Sequence, residues 1–446
     1  MRELLSNLGF ILQFSGLFIL LAAFVAIYLN ETREAIAFFI TSSTFLALGF
    51  PLNALSERKD LKNFKEALVL FVLTFLFLGL ISSIPYLFLG LFSEKDLITN
   101  IVNSIFEGFS GITTTGFTFL NSENLSQSMI FYRALSQFVG GIGIVYLLIT
   151  FIYSEKFKIT RFFGKLIGFD ENDEIKKNIK EIIIFYFSAL AILSFLMFYF
   201  NKDLIKSFSL IASGIATGGF PHYDIASLSI EEKTLIIASM ILGSISIFII
   251  AKLKKELPIY IFLIFLTSLI LYIYEGIDYF SSIFHAMSFV STTGYSYIDI
   301  GNLSNQTLVI LSIVMLIGGM AISTSGGFKI IRLIYFFKGM KDAIISFVRG
   351  SQTMIDEFVL ISFACIFSYL IFLFLLSFIL SYYYSDKDFP KIIFDSSSSL
   401  TTSGFSSGLI NDNLPILLKI LIIFYMLLAR IEILPIFALF VKIKYE

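Results

Sequence analysis

Four short segments of the sequence share a pattern of hydroxyl residues, glycine and an aromatic residue whose oxygen atoms could coordinate a cation. In each, a serine is followed after three residues by a threonine, then after one more residue by a glycine and an aromatic residue. Glycine allows backbone angles that turn carbonyl oxygens to one side, and threonine adds a hydroxyl oxygen. One such segment could serve only for packing, but four in one register indicate a functional site. The serines are Ser110, Ser213, Ser288 and Ser398, and the glycines are Gly116, Gly219, Gly294 and Gly404.

These segments predict a ring of neutral oxygen ligands for a monovalent cation. Backbone carbonyls that replace the hydration shell are the solution that potassium channels use for a dehydrated ion. We therefore predict an ion selectivity filter made of four filter segments: Thr113, Thr114, Thr115 and Gly116; Ala216, Thr217, Gly218 and Gly219; Ser291, Thr292, Thr293 and Gly294; and Thr401, Thr402, Ser403 and Gly404. Potassium is expected at the backbone carbonyls of Thr114, Thr115, Thr217, Gly218, Thr292, Thr293, Thr402 and Ser403.

The composition places these segments in a membrane protein. Of the 446 residues, 57% are hydrophobic and only 15% are charged, whereas roughly a quarter are charged in soluble domains. A net charge of −1 argues against nucleic acid as a partner, and the single cysteine, Cys365, excludes a disulfide scaffold. Apolar runs that could cross a bilayer as helices lie at ten places: 9–29, 35–52, 67–92, 129–152, 181–200, 234–251, 258–274, 307–336, 357–384 and 414–441.

The distribution of lysine and arginine predicts how these helices are oriented. With a cytoplasmic N-terminus, the cytoplasmic flanks hold 21 of the 32 basic residues, and the external flanks hold nine, including Arg133 and Lys419. The remaining two, Lys329 and Arg430, lie at membrane depth. Because this bias follows the positive-inside rule, we predict a multi-pass protein of the cytoplasmic (inner) membrane with both termini in the cytoplasm.

Each filter segment follows a stretch that is too short to cross the membrane. Counting back 16 residues from the four glycines gives favourable helix N-cap residues, namely Asn100, Asp203, Asp278 and Asp388. We predict a capped short helix that enters from outside and stops partway, with a full-length helix on either side. The predicted fold class is an all-α polytopic membrane protein of ten transmembrane helices. Two extra N-terminal helices lie in 1–60, and four helix–pore loop–helix repeats around a pseudo-fourfold pore lie in 61–160, 161–256, 257–350 and 351–446.

One position of the repeat, nine residues before the glycine, carries Glu107, His285 and Asp395 in three units and Leu210 in the second. These polar side chains could attract ions to the filter. Alternatively, they could be hydrogen-bonded partners that support the filter from behind, and we favour this second interpretation.

A stretch rich in glycine and serine, residues 318–329, interrupts the long apolar run 307–336. Its four glycines, two serines and one threonine cannot keep a helix regular. Because the break falls on the cytoplasmic side of the filter, we predict an intramembrane gate, called here the gating loop; a tolerated kink is the alternative. An arginine at mid-membrane costs at least about 2.5–3.5 kcal/mol, so Arg430 must find partners, such as carbonyls freed by the break. The alternative is that its side chain snorkels to the cytoplasmic surface. The predicted gate residues are Gly318, Gly319, Ser323, Thr324, Ser325, Gly326, Gly327, Lys329 and Arg430.

With these motifs, the sequence resembles the Trk/Ktr/HKT superfamily of potassium transporters over nearly its whole length. The four units resemble its pore loops, residues 133–143 the helix after the first pore loop, residues 318–332 its gating loop, and Arg430 the arginine of its last helix. The two extra N-terminal helices are similar to the TrkH branch rather than the KtrB branch.

The resemblance implies further properties. The protein would be a homodimer with one pore in each subunit, and a cytosolic ring of TrkA-like nucleotide-binding subunits would control the gate. Serine replaces the first filter glycine in sodium-favouring plant relatives, so Gly116 favours potassium. Ala429, the serine-rich fourth unit and Gly218 depart from the usual pattern and leave the degree of selectivity open.

Three classes of function remain to be compared. The first is potassium-selective uptake through a gated filter, with potassium as the transported ion and no organic cofactor. The second is a symporter coupled to protons or sodium, which a broken helix with Lys329 and Arg430 would suit, or a less selective monovalent cation transporter. An intramembrane enzyme is disfavoured because two histidines and one cysteine offer little material for a nucleophile–base pair or a metal site.

Overall fold

The computed structural model describes residues 1–56, 64–121, 125–152, 174–220, 223–245, 255–321, 323–350, 356–431 and 433. Within these ranges the chain is built of helices joined by short turns and loops. In chain order the helices are α1 Arg2–Tyr28, α2 Thr32–Asn53, α3 Phe64–Ser82, α4 Ile84–Leu89, α5 Leu97–Ile112, α6 Gln127–Ile152, α7 Glu174–Asn201, α8 Leu204–Ile215, α9 Ile230–Ser244, α10 Leu257–Tyr274, α11 Tyr279–Val290, α12 Asn305–Ile317, α13 Ile330–Arg349, α14 Glu357–Tyr383, α15 Phe389–Leu400 and α16 Ile416–Ile431.

All ten predicted spans overlap helices of this fold. Among the described residues, six helical stretches are long and apolar enough to cross a membrane: Arg2–Tyr28, Thr32–Asn53, Lys65–Leu89, Ile184–Asn201, Leu257–Tyr274 and Glu357–Tyr383. The other four predicted spans overlap α6, α9, α12 and α16. Several of the long helices expose large apolar side chains, such as Phe24, Phe195, Phe262 and Phe378, as expected of surfaces that face lipid. The chain is therefore an all-helical membrane protein.

The two N-terminal helices, α1 and α2, pack against each other through small residues. A Cβ atom on Gly9 would lie 2.6 Å from the carbonyl oxygen of Gly49, and one on Gly16 would lie 2.9 Å from Phe45. Ser42 also donates a hydrogen bond to the carbonyl of Gly16. Small residues allow close helix contact inside a membrane, so these glycines fix the pair, which then joins an apolar cluster with α3 and α6.

The four short helices α5, α8, α11 and α15 lie where the repeat predicts them. Asp203 and Asp278 cap α8 and α11 by accepting backbone N–H groups. Asp388 stands at the N-cap of α15 without a side-chain cap bond, where Pro390 has no N–H to donate. The prediction of Asn100 as the first cap was wrong. Helix α5 begins one turn earlier because Asp96 is itself a favourable cap and accepts the N–H of Thr99 at 3.1 Å.

The predicted break after α12 is confirmed. Helix α12 ends at Ile317 and α13 begins at Ile330, with the gating loop between them. Gly318 ends α12 with φ of 69°, and Lys329 precedes α13 with φ of 73°. Positive φ is uncommon for a residue with a side chain, so the tertiary contacts of the loop must hold Lys329 in place.

Candidate ion filter and gating loop

The four filter segments leave their short helices through the same turn. In each, the carbonyl of the shared serine accepts the N–H group of the residue five positions later, at 2.9–3.0 Å. This bond closes the helix end and turns the chain away from the helix axis. The donor residues are Thr115, Gly218, Thr293 and Ser403.

All four segments are held in a strained backbone conformation. The shared threonines Thr114, Thr217, Thr292 and Thr402 have φ angles of 56°, 51°, 54° and 49°, and the four filter glycines also have positive φ. A β-branched residue in this region is a genuine outlier, and such strain costs about 1–3 kcal/mol per residue and concentrates at functional sites. Its occurrence at the same position of all four segments points to a site that needs this backbone shape.

The filter glycines close the four segments into a ring. Each glycine lies against a carbonyl oxygen of the next repeat, so near that a Cβ atom on the glycine would be only 1.9–2.2 Å from that oxygen. The pairs are Gly116 with the Gly218 carbonyl, Gly219 with Thr293, Gly294 with Ser403, and Gly404 with Thr115. Because the last pair returns to the first segment, the order around the ring is one, two, three, four. The ring thus brings together backbone carbonyl oxygens, the kind of ligand that replaces the hydration shell of a cation in potassium channels.

The polar residues nine positions before the glycine support the ring from behind, as favoured above. Each accepts the backbone N–H of the residue twelve positions later: Glu107 from Phe119 at 2.7 Å, His285 from Tyr297 at 3.1 Å, and Asp395 from Ser407 at 2.6 Å. His285 accepts through Nε2 while its Nδ1 lies 2.7 Å from the Ser281 carbonyl, which places the proton on Nδ1. These side chains therefore anchor the loop that follows each filter segment.

Two basic residues assigned above to the external flanks, Arg133 and Lys419, are buried, each 1% exposed. Both have partners within the fold. The Arg133 guanidinium lies 3.3 Å from a Glu107 carboxylate oxygen and 3.8 Å from the ring centre of Phe220. It thereby joins repeat one to the aromatic residue after Gly219.

Lys419 joins repeat four to repeat one. Its ammonium donates to Asn103 Oδ1 at 2.7 Å and to the Asp412 carbonyl at 2.8 Å. On the surface nearby, Lys95 lies 2.7 Å from a carboxylate oxygen of Asp412, and the hydrogen bond and charge of Asp412 raise the pKa of Lys95. These contacts agree with the ring, in which segments four and one are neighbours.

The gating loop lies directly against three of the four filter segments. Thr324 receives a hydrogen bond from the Thr217 hydroxyl at 3.2 Å, and the N–H of Gly326 donates to the Thr292 hydroxyl at 2.7 Å. A Cβ atom on Gly326 would lie 1.7 Å from the Thr401 carbonyl oxygen. In filter segment one, which the loop does not contact in this way, the Thr114 hydroxyl is buried and has no hydrogen-bond partner among the described residues. The loop thus covers one end of the ring.

Arg430 ties the gating loop to repeat one. One guanidinium nitrogen donates to the Thr324 carbonyl at 2.9 Å and another to the Gly140 carbonyl of α6 at 3.0 Å. The prediction that loop carbonyls would partner this arginine is confirmed, whereas Gly140 was not predicted. The Lys329 ammonium folds back onto oxygen atoms of Ser323 and Ser325.

Two contacting residues were missed by sequence reasoning. The buried Glu256, just before α10, accepts the N–H of Ala321 in the gating loop at 3.0 Å; its only signal was an acidic residue before Leu257 and Pro258. Gln137 on α6 donates to the Gly218 carbonyl at 2.7 Å. It lies within the 133–143 stretch noted above, but nothing in that stretch pointed to repeat two.

Several known proteins are similar to this chain in sequence or in fold. A family model described as TrkH, cation transport protein, matches residues 231–445. An uncharacterized cation transporter of Methanocaldococcus jannaschii is 28% identical over 99% of this chain and 96% of its own. The Trk system potassium uptake protein TrkH of Escherichia coli is 26% identical over 74% of this chain and 73% of its own. The crystal structure of the potassium transporter TrkH from Vibrio parahaemolyticus superposes with a TM-score of 0.82 at 19% identity, covering 99% of this chain and 98% of that one.

The fold and the ring define a polytopic helical membrane protein in which four re-entrant segments meet through their glycines and backbone carbonyls. By these similarities the chain resembles TrkH-type cation transport proteins in sequence and has the fold of a solved TrkH.

Proposed function

We propose that this protein carries potassium across the cytoplasmic membrane through the ring of filter segments. The observation that carries the proposal is the closed ring itself, in which four strained segments bring four carbonyl oxygens against four glycines. Neutral oxygens in a fixed array replace the water shell of a monovalent ion. The names of the Escherichia coli and Vibrio parahaemolyticus relatives, both described as potassium proteins, support potassium as the ion.

The gating loop would control passage through the ring. Its contacts with Thr217, Thr292 and the Thr401 carbonyl put backbone atoms where an ion leaving the filter would pass. Arg430 and Glu256 hold this arrangement by hydrogen bonds to Thr324 and Ala321. These bonds, together with the bonds of Met320 and Thr324 to the carbonyls of Ser244 and Gly243, would have to break for the loop to move aside.

We also propose the wider assembly that the superfamily implies. The protein would be a homodimer in the cytoplasmic membrane, with both termini in the cytoplasm and a pore in each subunit. A TrkA-like nucleotide-binding ring would bind the cytoplasmic face and act on the gate. The description of several relatives as parts of a Trk system supports a multi-component arrangement.

The test is a Gly116→Ser change measured by potassium and sodium flux in proteoliposomes. A side chain at this position meets the Gly218 carbonyl, so we expect the potassium-to-sodium ratio to fall at least about tenfold, equivalent to about 1.4 kcal/mol. Gly276→Ser is the matched control, because Gly276 also has positive φ but has nothing within 4 Å of its Cβ position. An unchanged ratio in Gly116→Ser would contradict the filter assignment.

The same vesicles distinguish a channel from a coupled transporter. A reversal potential that follows the potassium gradient alone, at any imposed pH or sodium gradient, is the expected result. A potential that moves with either of the other gradients would instead assign the protein as a symporter.

A further inference from the structure

Three of the four filter segments contain an internal bridge between two hydroxyl groups. The bridge joins the first residue after the short helix to the residue just before the filter glycine. The oxygen–oxygen distances are 2.8 Å for Thr113 and Thr115, 2.6 Å for Ser291 and Thr293, and 2.7 Å for Thr401 and Ser403. All six of these residues are buried, so the bridge is a device that stiffens the segment beside the ring.

Repeat two cannot make this bridge, because the corresponding residues are Ala216 and Gly218. The side chain of Gln137, which is fully buried on α6 of repeat one, occupies the equivalent place. Its Nε2 donates to the Gly218 carbonyl at 2.7 Å, and its Oε1 accepts from the Ser213 hydroxyl at 2.5 Å. The assignment of the amide atoms follows from the partners, since a carbonyl can only accept and nitrogen must face it.

Gln137 and Gly218 also require each other sterically. A Cβ atom on Gly218 would lie 2.4 Å from the Gln137 amide. Gly218 is not among the residues with positive φ, so its backbone conformation does not require glycine. Glycine is needed at this position because a larger residue would collide with Gln137. The Gln137 side chain therefore fills the space that a side chain at position 218 would otherwise occupy.

The bond changes one oxygen of the ring and not the other three. The Gly218 carbonyl is the one that faces Gly116, and it also accepts a hydrogen bond from the Gln137 amide. Among the described residues, the corresponding carbonyls of Thr115, Thr293 and Ser403 accept no hydrogen bond. A carbonyl has two acceptor positions, so the Gly218 oxygen keeps one for an ion. The amide proton nevertheless fixes its position and offsets part of its negative potential.

We propose that Gln137 is a positioning residue that sets cation selectivity by holding the repeat-two carbonyl at Gly218. The inference rests on the proposed function, because it concerns the same ring. Selectivity among monovalent ions depends on the number, position and field strength of the carbonyl ligands. A ring with one carbonyl pinned by an amide should therefore lose selectivity when that amide is removed, although its maximal flux need not fall.

The experiment compares potassium and sodium fluxes of full-length variants in proteoliposomes. In Gln137→Ala we expect the potassium-to-sodium ratio to fall at least fivefold. Gln137→Glu, which keeps the shape but loses the donor, should lower the ratio similarly. Gln127→Ala, on the exposed start of the same helix, is the matched control and should leave the ratio unchanged.

A rescue variant keeps the proposal falsifiable if the single variants fold poorly. The triple change Gln137→Ala, Ala216→Thr and Gly218→Thr builds the hydroxyl bridge of the other repeats into the freed space. We expect it to restore the ratio to within about twofold of the wild type, whereas Gly218→Thr alone should abolish transport by collision with Gln137. A triple variant that folds and transports with low selectivity would contradict the proposal, as would wild-type selectivity in Gln137→Ala.

The controls separate this inference from the proposed function. If wild-type vesicles take up no more potassium than empty ones, the proposed function fails and this inference fails with it. If the wild type is selective and the Gln137 variants match it, only the role of Gln137 is refuted.

Discussion

Repeats two and four perform the same structural task by different means. In repeat four, Asp395 accepts hydrogen bonds from Ser406, Ser407 and Ile410, and a hydroxyl bridge joins Thr401 to Ser403. In repeat two, Leu210 takes the place of Asp395 and the hydroxyl bridge is absent. The segment depends instead on Gln137 from repeat one and on Tyr295 from repeat three, whose hydroxyl donates to the Leu210 carbonyl at 2.8 Å.

The difference shows which part of the ring is set by the local sequence and which by neighbours. The backbone shape is common to both, since Thr217 and Thr402 have φ of 51° and 49° and each glycine meets the next carbonyl. The support is not common: repeat four is held mainly by its own residues, and repeat two by side chains from the repeats on either side. Mutations in the two repeats should therefore differ in their effects.

The largest effect is expected when repeat four is given the residue that repeat two carries. Asp395→Leu removes the acceptor of two backbone N–H groups and the Ser406 hydroxyl, all in a region with no compensating glutamine. The Ser407 N–H is left unpaired at a cost of about 1–3 kcal/mol, and the bonds of Ser406 and Ile410 to the carboxylate are lost as well, so we expect a loss of about 3 kcal/mol or more and little folded protein. Thermal unfolding in detergent, followed by size-exclusion chromatography, measures the loss.

Asp395→Asn is the matched control for that change. It keeps one acceptor oxygen of the same shape, so we expect a folded protein with a smaller loss of stability. If Asp395→Leu proves as stable as the wild type, repeat four does not depend on its internal anchor, and the contrast with repeat two disappears.

A second prediction concerns how the gating loop reaches repeat one. The loop contacts filter segments two, three and four directly, while Arg430 connects it to Gly140 in repeat one. Arg430→Ala removes two charge-assisted hydrogen bonds, each worth about 1.5–3 kcal/mol. Part of this free energy stabilises the gating loop in its place against the ring. We expect open probability in single-channel recordings to rise roughly tenfold or more.

Arg430→Lys serves as its comparison, because lysine keeps the charge but lacks the planar fork that reaches both carbonyls. We expect an intermediate open probability. If both variants open as rarely as the wild type, the loop is held closed by its other contacts, and Arg430 has only a packing role.

The sequence carries the shape of the ring but not its cross-connections. The short helices, the break at 318–329 and the four turns could be predicted because each depends on residues close together in the chain. The bonds from Gln137 to Gly218 and from Arg430 to Gly140 join residues 81 and 290 positions apart, and no local pattern encodes them. The spacing from the glycines predicts Asn100 as a cap, whereas Asp96 one turn earlier caps the helix.

The glycines of the gating loop show the same limit. Their number in the sequence predicts a loop that can move. In the structure they serve close packing, since a Cβ atom on Gly318 would lie 2.1 Å from the Gly326 carbonyl and one on Gly319 would lie 2.4 Å from the Ser325 hydroxyl. Mobility and close approach both favour glycine, so composition alone could not separate them.

The smallest expected effect tests how far repeat four depends on its neighbour, repeat one. Lys419→Met removes a buried ammonium that bonds Asn103 and Asp412, leaving two acceptors without that donor, and we expect a loss of about 1–3 kcal/mol. Lys95→Met removes a partner of the same Asp412 at the surface, where solvent screens the pair, and we expect no measurable change in unfolding temperature. Equal losses of stability in the Lys419→Met and Lys95→Met variants would mean that repeats four and one are connected by electrostatic attraction acting over a distance. A negligible loss in both would mean that repeat four keeps its place through its internal anchor and apolar packing alone, which would strengthen its contrast with repeat two.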